Sequence, residues 1–430
     1  MVQIGAEKGL TPPVVYDVTR LVTRGLNAAP NGIDRVDFLL ARYFLERGAT
    51  PLACAALGPR LADADKARSA IDAIESFWCE NAEAAADGVY HSVVDALWGQ
   101  GAPRLRSEAR LARVLRNGRA LSDWGLRVGR PPHAAPAGAV YVNATQFLFD
   151  RPWYVRWLAA RPDVKPVVFV HDLLPVDHPE FFRAREARLH PRRHRNVCRL
   201  AAGVIVASQA VAARFARYAE ENGRKDLPIC VARLPVRPVF AQAIEPREEL
   251  EGVDYFIACG TIEPRKNYLL LLNLWRELAT NRPPPKLVIV GKRGWLNETV
   301  VDMLQRCAIL RGNVIEADGL STPGLRRLMA GARALLMPSF GEGFGLPVAE
   351  ALATGLPVIA SDLDVFREIA GAAPDYLHPL DGVGWLQAVR DYAEQGSPRR
   401  AAALSRMAAG ESVTSPEAFL SRVDSFIATL

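Results

Sequence analysis

Two glutamates flank a glycine-rich turn in the last third of the chain. Glu342 lies between Gly341 and Gly343, a third glycine follows at Gly345, and Glu350 comes eight residues after Glu342. Three glycines within five residues allow a tight turn whose backbone can approach a bound molecule closely. In solvent the two carboxylates would be ordinary surface acids, but here they frame a turn that is not an ordinary loop. This turn is therefore the first candidate for a functional site.

The residues around the turn predict a strand, a helix and a second strand. An apolar run at 334–337 has strand length, Pro347 suits the first position of a helix over 348–354, and Gly355 ends it before an apolar strand at 357–360. Such a unit brings free N–H groups and a positive helix end to the carboxyl edge of a sheet, which predicts an anion site. A tight connection without a ligand is the alternative, because glycine-loop motifs are weak signals.

A histidine ends another apolar stretch. Residues 166–171 read as a buried strand that terminates at His171, and Asp172 follows it. Open α/β sheets bind ligands at the carboxyl ends of their strands, so His171 is a second candidate for a site residue. The alternative is a loop histidine held by a hydrogen bond.

Four stretches, in order along the chain, resemble the motifs of the retaining, GT-B-fold glycosyltransferases of family four. They are HDLLP at 171–175, GTIEPRKN at 260–267, VGKRGW at 290–295, and EGFGLP at 342–347 with the EA pair at 350–351. The resemblance is close over about 168–371 and looser over the first 50 residues. It implies an α/β protein of two Rossmann-like doubly wound domains that face a cleft and bind a nucleotide sugar there.

The resemblance places the nucleotide sugar on the second half of the chain. Arg265 and Lys266 would bind the diphosphate, because arginine forks onto two oxygens and lysine supplies a compact charge. Glu350 would accept hydrogen bonds from the ribose, and Glu342 would contact the transferred sugar and act in catalysis. The other residues implied around the phosphate are Gly260, Thr261, Lys292, Phe344, Gly345 and Leu346.

The chain departs from the family pattern at one of these positions. Many relatives carry an arginine directly after the loop glycine, where this chain has Thr261, and Lys292 or Arg293 is the candidate that replaces the lost charge. On the opposite domain, the resemblance implies that His171 contacts the sugar or the leaving group. It places Gly32 and Asp172 on the acceptor side.

The implied activity is retaining hexosyl transfer without a metal or any cofactor beyond the nucleotide-sugar co-substrate. GTIEPRKN together with GKRGW most resembles mannosyltransferases of bacterial polysaccharide or lipopolysaccharide assembly, so GDP-mannose is the first donor and a glycan or lipid-linked oligosaccharide the expected acceptor. Donors linked to UDP, dTDP or GDP, and a sugar-nucleotide epimerase of the same fold, remain alternatives. A phosphorylase would need a pyridoxal lysine or a further phosphate site, and neither is evident.

The composition limits the other classes of function. The chain has 430 residues, half of them hydrophobic and 23% charged, which fits two globular domains. Its net charge of +6 allows a nucleic-acid-binding protein, but no stacking or helix-turn-helix module accompanies that charge. Six scattered cysteines without a C-x-x-C pair fit a reducing compartment. We expect a cytoplasmic protein, peripheral at the inner face of the cytoplasmic membrane, with no affinity for nucleic acid.

The order of predicted elements gives the domain boundaries. An opening strand at 13–17 and a helix over 32–47 begin an acceptor-side domain of residues 1–238, and a proline-rich linker spans 235–252. The nucleotide-sugar domain then covers 239–414. The last helix, about 415–430, is expected to pack back on the first domain.

Two basic stretches have no place in the nucleotide site. Eight arginines interleave with apolar residues over 104–130, which predicts either a helix on anionic lipid or a solvated helix that covers the core of the first domain. Residues 181–200 predict an arginine- and histidine-rich helix with a solvated face. Residues 60–135 resemble nothing that assigns them a role.

Overall fold

Two parallel β-sheets, each from one half of the chain, form the centre of the protein in a computed structural model. The structure describes residues 12–24, 30–55, 58–78, 83–101, 129–242, 248–280, 283–408 and 413–430.

The first sheet has seven strands in the order β3-β2-β1-β4-β5-β6-β7. They are β1 Val14–Asp17, β2 Thr50–Ala55, β3 Gly58–Leu61, β4 Val140–Asn143, β5 Lys165–Val170, β6 Gly203–Val206 and β7 Ile229–Val231. All neighbours are parallel except β2 and β3, which form an antiparallel hairpin at one edge. Apolar runs such as β5 and β6 are buried on both faces, because helices cover a parallel sheet on both sides.

The second sheet has six parallel strands in the order β10-β9-β8-β11-β12-β13. They are β8 Tyr255–Cys259, β9 Lys286–Val290, β10 Val314–Ala317, β11 Leu335–Met337, β12 Val358–Ser361 and β13 Asp375–Leu377. Since β8 lies between β9 and β11, the loops that follow these three strands meet at one edge of the sheet.

The described helices cover both sheets. They are α1 Thr19–Arg24, α2 Gly32–Glu46, α3 Ala64–Phe77, α4 Gly88–Leu97, α5 Pro152–Ala159, α6 Leu174–Asp177, α7 Ala184–Leu200, α8 Gln209–Glu221, α9 Pro238–Ala241, α10 Tyr268–Leu278, α11 Glu298–Arg306, α12 Thr322–Gly331, α13 Leu346–Thr354, α14 Asp364–Ala370, α15 Gly382–Ala393, α16 Pro398–Ala408 and α17 Pro416–Ala428. None of these helices combines the length and the apolar character that a bilayer span requires.

The C-terminal helix α17 lies against the first sheet. A Cβ built on Gly203, the first residue of β6, would come within 2.7 Å of the Phe426 ring. Just before α17, the Thr414 carbonyl accepts a hydrogen bond from the N–H of Val236 at 3.1 Å. The exact boundary near residue 238 stays a prediction.

Residues 60–135 include a helix that reaches the second domain. Asp87 caps α4 by accepting from the N–H groups of Val89 and Tyr90, at 2.9 and 3.2 Å. Its other carboxylate oxygen accepts from the N–H of Ser321 at 2.7 Å, where α12 begins. One buried carboxylate therefore joins helices of both halves of the chain, which the sequence did not indicate. The basic stretch predicted at 104–130 lies almost entirely outside the described residues.

Candidate active site

The two segments that the sequence singled out in the second half of the chain meet in space because β8 and β11 are adjacent. The loop with Arg265 and Lys266 follows β8, and the glycine-rich turn follows β11. A backbone hydrogen bond of 2.8 Å from the N–H of Phe340 to the carbonyl of Arg265 joins the two segments directly.

Glu342 forms ion pairs with both cations. Its Oε2 lies 2.7 Å from Nη1 of Arg265, and its Oε1 lies 2.5 Å from Nζ of Lys266. The Ser339 hydroxyl also donates to Oε1 at 2.8 Å, and Nε of Arg265 pairs with Glu263 at 2.6 Å. We call these two cations and two glutamates the ion cluster. Its formal charges sum to zero, so the cations predicted for a diphosphate are neutralised by carboxylates in this structure.

The protonation of the cluster follows from its burial and its charges. Burial by itself would raise the pKa of Glu342, but the charges of Arg265 and Lys266 and their hydrogen bonds lower it to about 2. Burial lowers the pKa of Lys266, and the charge of Glu342 opposes that effect. Glu342 is therefore an ionised acceptor at neutral pH, not a proton donor.

Gly260 makes room for Lys266. Its φ of +135° lies in the region that favours glycine, and a built Cβ would lie 3.1 Å from Cε of Lys266. The methyl group of the adjacent Thr261 lies against the loop after β9, since a Cβ built on Gly294 would be 2.6 Å from its Cγ2. The place of Thr261 at the phosphate stays a prediction.

The glycine-rich turn ends at the N-terminus of α13. Gly345 takes a φ of +99° as the cap residue, so the helix begins at Leu346, two residues earlier than predicted, and Pro347 occupies its second position. Phe344 is buried beneath the turn. Glu350, in α13, lies 3.4 Å from Nη1 of Arg35 in the first domain.

The first domain supplies the opposite wall. Because β4 and β5 are neighbours, Nε2 of His171 reaches the carbonyl of Ala144 at 2.7 Å. A Cβ on Gly343 would collide with the His171 carbonyl and would lie 3.0 Å from Cβ of Asp172. Gly32 lies against the start of α13, because its built Cβ would be 3.3 Å from Cδ1 of Leu346. The predicted acceptor-side residues thus line one cleft with the glycine-rich turn.

The state of His171 follows from its partner. A carbonyl oxygen can only accept, so Nε2 carries the hydrogen and Nδ1 is left as an acceptor. Burial lowers the pKa of His171 to about 4, although the bond to Ala144 and the charge of Asp172 oppose this shift. The imidazole is therefore neutral at physiological pH.

Lys292 and Arg293, the two candidates for the missing charge, have different surroundings. Arg293 is engaged by Glu316 through two hydrogen bonds of 2.7 Å. Burial lowers the pKa of Lys292, and the nearby charge of Arg24 on α1 lowers it further. The second interaction brings Lys292 near the first domain, which favours Lys292 over Arg293 as the replacement for the missing charge, and this choice stays a prediction.

Several contacts across the cleft involve residues that the sequence did not single out. Ser208 donates to the Gly343 carbonyl at 3.1 Å, and Glu368 accepts from the N–H groups of Gln209 and Ala210 at the start of α8. Arg35, Phe181 and Trp295 also take part in contacts between the two domains, whereas Glu263 and Ser339 make their contacts within the second domain. Of these five residues, Glu263 and Trp295 belong to the motifs GTIEPRKN and VGKRGW, and the other three lie outside the four motifs.

Comparison with known proteins gives the context of this site. Residues 241–377 match the family model of glycosyl transferases group 1, a segment that includes the ion cluster and α13. The serotype-specific mannosyltransferase WbdA of Escherichia coli is 31% identical over 249 residues, which are 54% of this chain and 30% of that protein. The O-antigen chain mannosyltransferase B of Escherichia coli is 32% identical over 34% of this chain and 39% of that protein. The chain thus spans less than half the length of these relatives.

Solved structures extend the similarity to the whole fold. Anabaena HepE in complex with UDP-glucose matches 97% of this chain and 100% of that chain, with a TM-score of 0.61 at 15% identity. The sucrose-phosphate synthase of Thermosynechococcus elongatus matches 97% and 98% of the two chains, with a TM-score of 0.61 at 16% identity. Residues 241–377 are therefore similar to the group 1 glycosyl transferases, within a chain that has the two-domain GT-B fold.

Proposed function

We propose that this chain transfers a mannosyl group from GDP-mannose to a glycan or lipid-linked oligosaccharide in polysaccharide assembly, with retention of configuration. The ion cluster carries the proposal, because two cations and an ionised glutamate meet a helix N-terminus inside a cleft between two domains. The choice of sugar draws support from relatives named as O-antigen mannosyltransferases.

The leaving diphosphate needs positive charge. As the bond between the anomeric carbon and the phosphate oxygen breaks, negative charge grows on the diphosphate, and preorganised cations and N–H groups stabilise it. Lys266, Arg265 and the first N–H groups of α13 fit this role. Glu342 neutralises the cations in this structure, so the incoming diphosphate competes with a carboxylate for them. The same cations make a metal unnecessary, and metal independence is part of the proposal.

Glu342 and His171 then contact the sugar from the two walls. Glu342 is ionised and accepts hydrogen bonds from sugar hydroxyls, while Nδ1 of the neutral His171 accepts from another. His171 does not protonate the leaving group, because its pKa of about 4 leaves it neutral at pH 7. The acceptor hydroxyl oxygen forms a bond to the anomeric carbon on the same face from which the diphosphate departs. The proton of that hydroxyl passes to the departing phosphate oxygen. Glu350, beside Arg35, is proposed to bind the ribose.

A different nucleotide sugar is the second candidate donor. HepE, whose fold this chain shares, was solved with UDP-glucose. The roles proposed for the ion cluster and for Glu350 concern phosphate, sugar and ribose, which GDP-mannose and UDP-glucose share in outline. The donor base therefore has to be found by experiment.

A panel of sugar nucleotides tests the function. We expect GDP-mannose to raise the midpoint of thermal unfolding most and to be hydrolysed or transferred fastest, compared with GDP-fucose, UDP-glucose, UDP-GlcNAc and dTDP-rhamnose. A larger response to a UDP-sugar would replace GDP-mannose by the second candidate. No response to any sugar nucleotide would contradict glycosyl transfer itself.

Lys266 tests the stabilisation of the leaving group. Lys266→Ala should lower kcat by about 100-fold or more, the scale seen when one electrostatic stabiliser of a transition state is removed. Lys225→Ala is the matched control, because Lys225 is exposed and pairs with Glu220 at the surface. A folded Lys266→Ala enzyme with nearly wild-type turnover would contradict this role.

The neighbours Lys292 and Arg293 form a matched pair of variants. Lys292→Ala should raise the KM for the donor by about tenfold, the effect of losing roughly one charge-assisted hydrogen bond. Arg293→Ala should leave KM within about twofold of wild type, because Glu316 already engages that side chain. If Arg293→Ala raised the KM more than Lys292→Ala, the compensating charge would be assigned to Arg293 instead.

His171 predicts a dependence of stability on pH. Its folded pKa of about 4 lies below the unfolded value near 6.5, so the unfolded chain binds more protons as the pH falls between these values. The free energy of unfolding should therefore decrease from pH 6.5 towards pH 4. His171→Gln should lessen the decrease between pH 7 and 4.5 by about 2 kcal/mol in urea titrations. An unchanged pH dependence in His171→Gln would show that His171 is protonated normally.

A further inference from the structure

The outer face of α7 carries a row of arginines. Arg185, Arg188, Arg192, Arg195 and Arg199 recur at spacings of three and four residues, so they share one face of the helix, and all five are exposed. We call them the arginine stripe. The opposite face of α7 carries the buried residues His194, Val197 and Cys198. The stripe is therefore the solvent side of a helix that is fixed to the core of the first domain.

The stripe lacks acidic partners among the described residues. The one acidic residue of α7, Glu186, pairs with Arg193 at 3.0 Å and with His190 at 3.5 Å, away from the stripe. Arg199 donates to the side-chain oxygen of Asn196, a neutral partner, at 3.1 Å. By contrast, Arg306 on α11 has Asp302 one turn away at 3.4 Å. Like charges three and four residues apart destabilise a helix, so the stripe favours an external anionic partner.

A tryptophan and another arginine extend the basic surface onto α5. Arg193 pairs with Asp150 at 3.1 Å, and the Asn196 amide donates to the Phe149 carbonyl at 2.8 Å, so the start of α5 lies beside the middle of α7. Trp153, in the first turn of α5, is 45% exposed, and Arg156 is exposed one turn later. Arginines beside an exposed indole suit the interface of an anionic bilayer, where the ring enters the headgroup region and the cations meet phosphates.

The N-terminal end of α7 adjoins the cleft. Phe181 stacks on Phe340, two residues before Glu342, with ring centroids 5.3 Å apart. The Phe181 carbonyl accepts from Nε1 of Trp295 at 2.9 Å, in the loop after β9 that also carries Lys292. A surface that binds along α7 would therefore lie next to the mouth of the cleft.

We propose that the arginine stripe, with Trp153 and Arg156, docks the first domain onto an anionic phospholipid bilayer. The stripe spans 15 residues of helix, about 21 Å from the first to the last, enough to contact several headgroups at once. An anionic polysaccharide would also meet the arginines, but it offers nothing apolar to Trp153, so the bilayer is the better partner. Together with the proposed function, docking would hold the cleft beside a lipid-linked acceptor.

Vesicle co-sedimentation tests the surface without any assay of transfer. The full chain should bind vesicles of phosphatidylcholine with 30% phosphatidylglycerol at low salt and should dissociate from them at high salt. It should not bind vesicles of pure phosphatidylcholine. Since each arginine near an anionic leaflet contributes about a fivefold change in affinity, the triple variant R188E/R192E/R195E should lose at least tenfold. Trp153→Ala should weaken vesicle binding but leave the binding of dextran sulfate unchanged.

The control variant is R276E/R306E/R311E, which makes the same change in net charge at exposed arginines of the second domain. It should keep most of the vesicle affinity, and both variants should keep the thermal unfolding midpoint of the wild type, because all six side chains are exposed.

Equal losses in the two triple variants, or no binding of the wild type to anionic vesicles, would overturn the proposal. Vesicle binding that survives R188E/R192E/R195E but is lost when the arginines of 104–130 are reversed would overturn it in favour of that segment. Binding of dextran sulfate without vesicle binding would replace the bilayer by a polyanion.

Discussion

The buried contact of Glu342 with Arg265 and Lys266 is the interaction on which the rest of the site depends. Burying a carboxylate and two cations costs free energy unless the charges are paired and hydrogen-bonded. Here the carboxylate forms an ion pair with each of the two cations. The loop after β8 and the turn after β11 are therefore held together by charge as well as by strand pairing. The arrangement also keeps Lys266 and Arg265 in place for an anion, since removal of Glu342 would take away the ion pair of Lys266 and one of the two ion pairs of Arg265.

The contacts between the two domains converge on the same turn. The first domain approaches the turn at Gly341 and Gly343, where a side chain would not fit. A Cβ atom built on Gly341 would collide with the Leu174 side chain, and one built on Gly343 would collide with the His171 carbonyl. The Ser208 hydroxyl binds the Gly343 carbonyl, and Glu368 caps α8 from the other domain. The glycines of the turn thus serve the approach of the domains as well as the conformation of the turn.

The polar groups of the cleft divide between the two domains in a way that explains the roles we propose. The second domain contributes the ion cluster and the helix N-terminus, which suit a diphosphate. The first domain contributes a neutral imidazole with a free acceptor nitrogen, which suits hydroxyl groups. At α4, Asp87 connects the domains again through the start of α12.

The sequence by itself determined the local parts of this protein. Apolar runs, glycines and prolines affect the conformation of their sequence neighbours. The sequence therefore predicted, within a few residues, the strands β5, β8 and β11, the turn at 341–345 and the helix α13. The motifs identified the segments of the site. Only the tertiary structure decided that Glu342 neutralises Lys266, that Arg35 faces Glu350 and that α4 contacts the second domain. These facts depend on strand order and on the approach of two domains, which join residues 76 to 315 positions apart and leave no periodic signal in the chain.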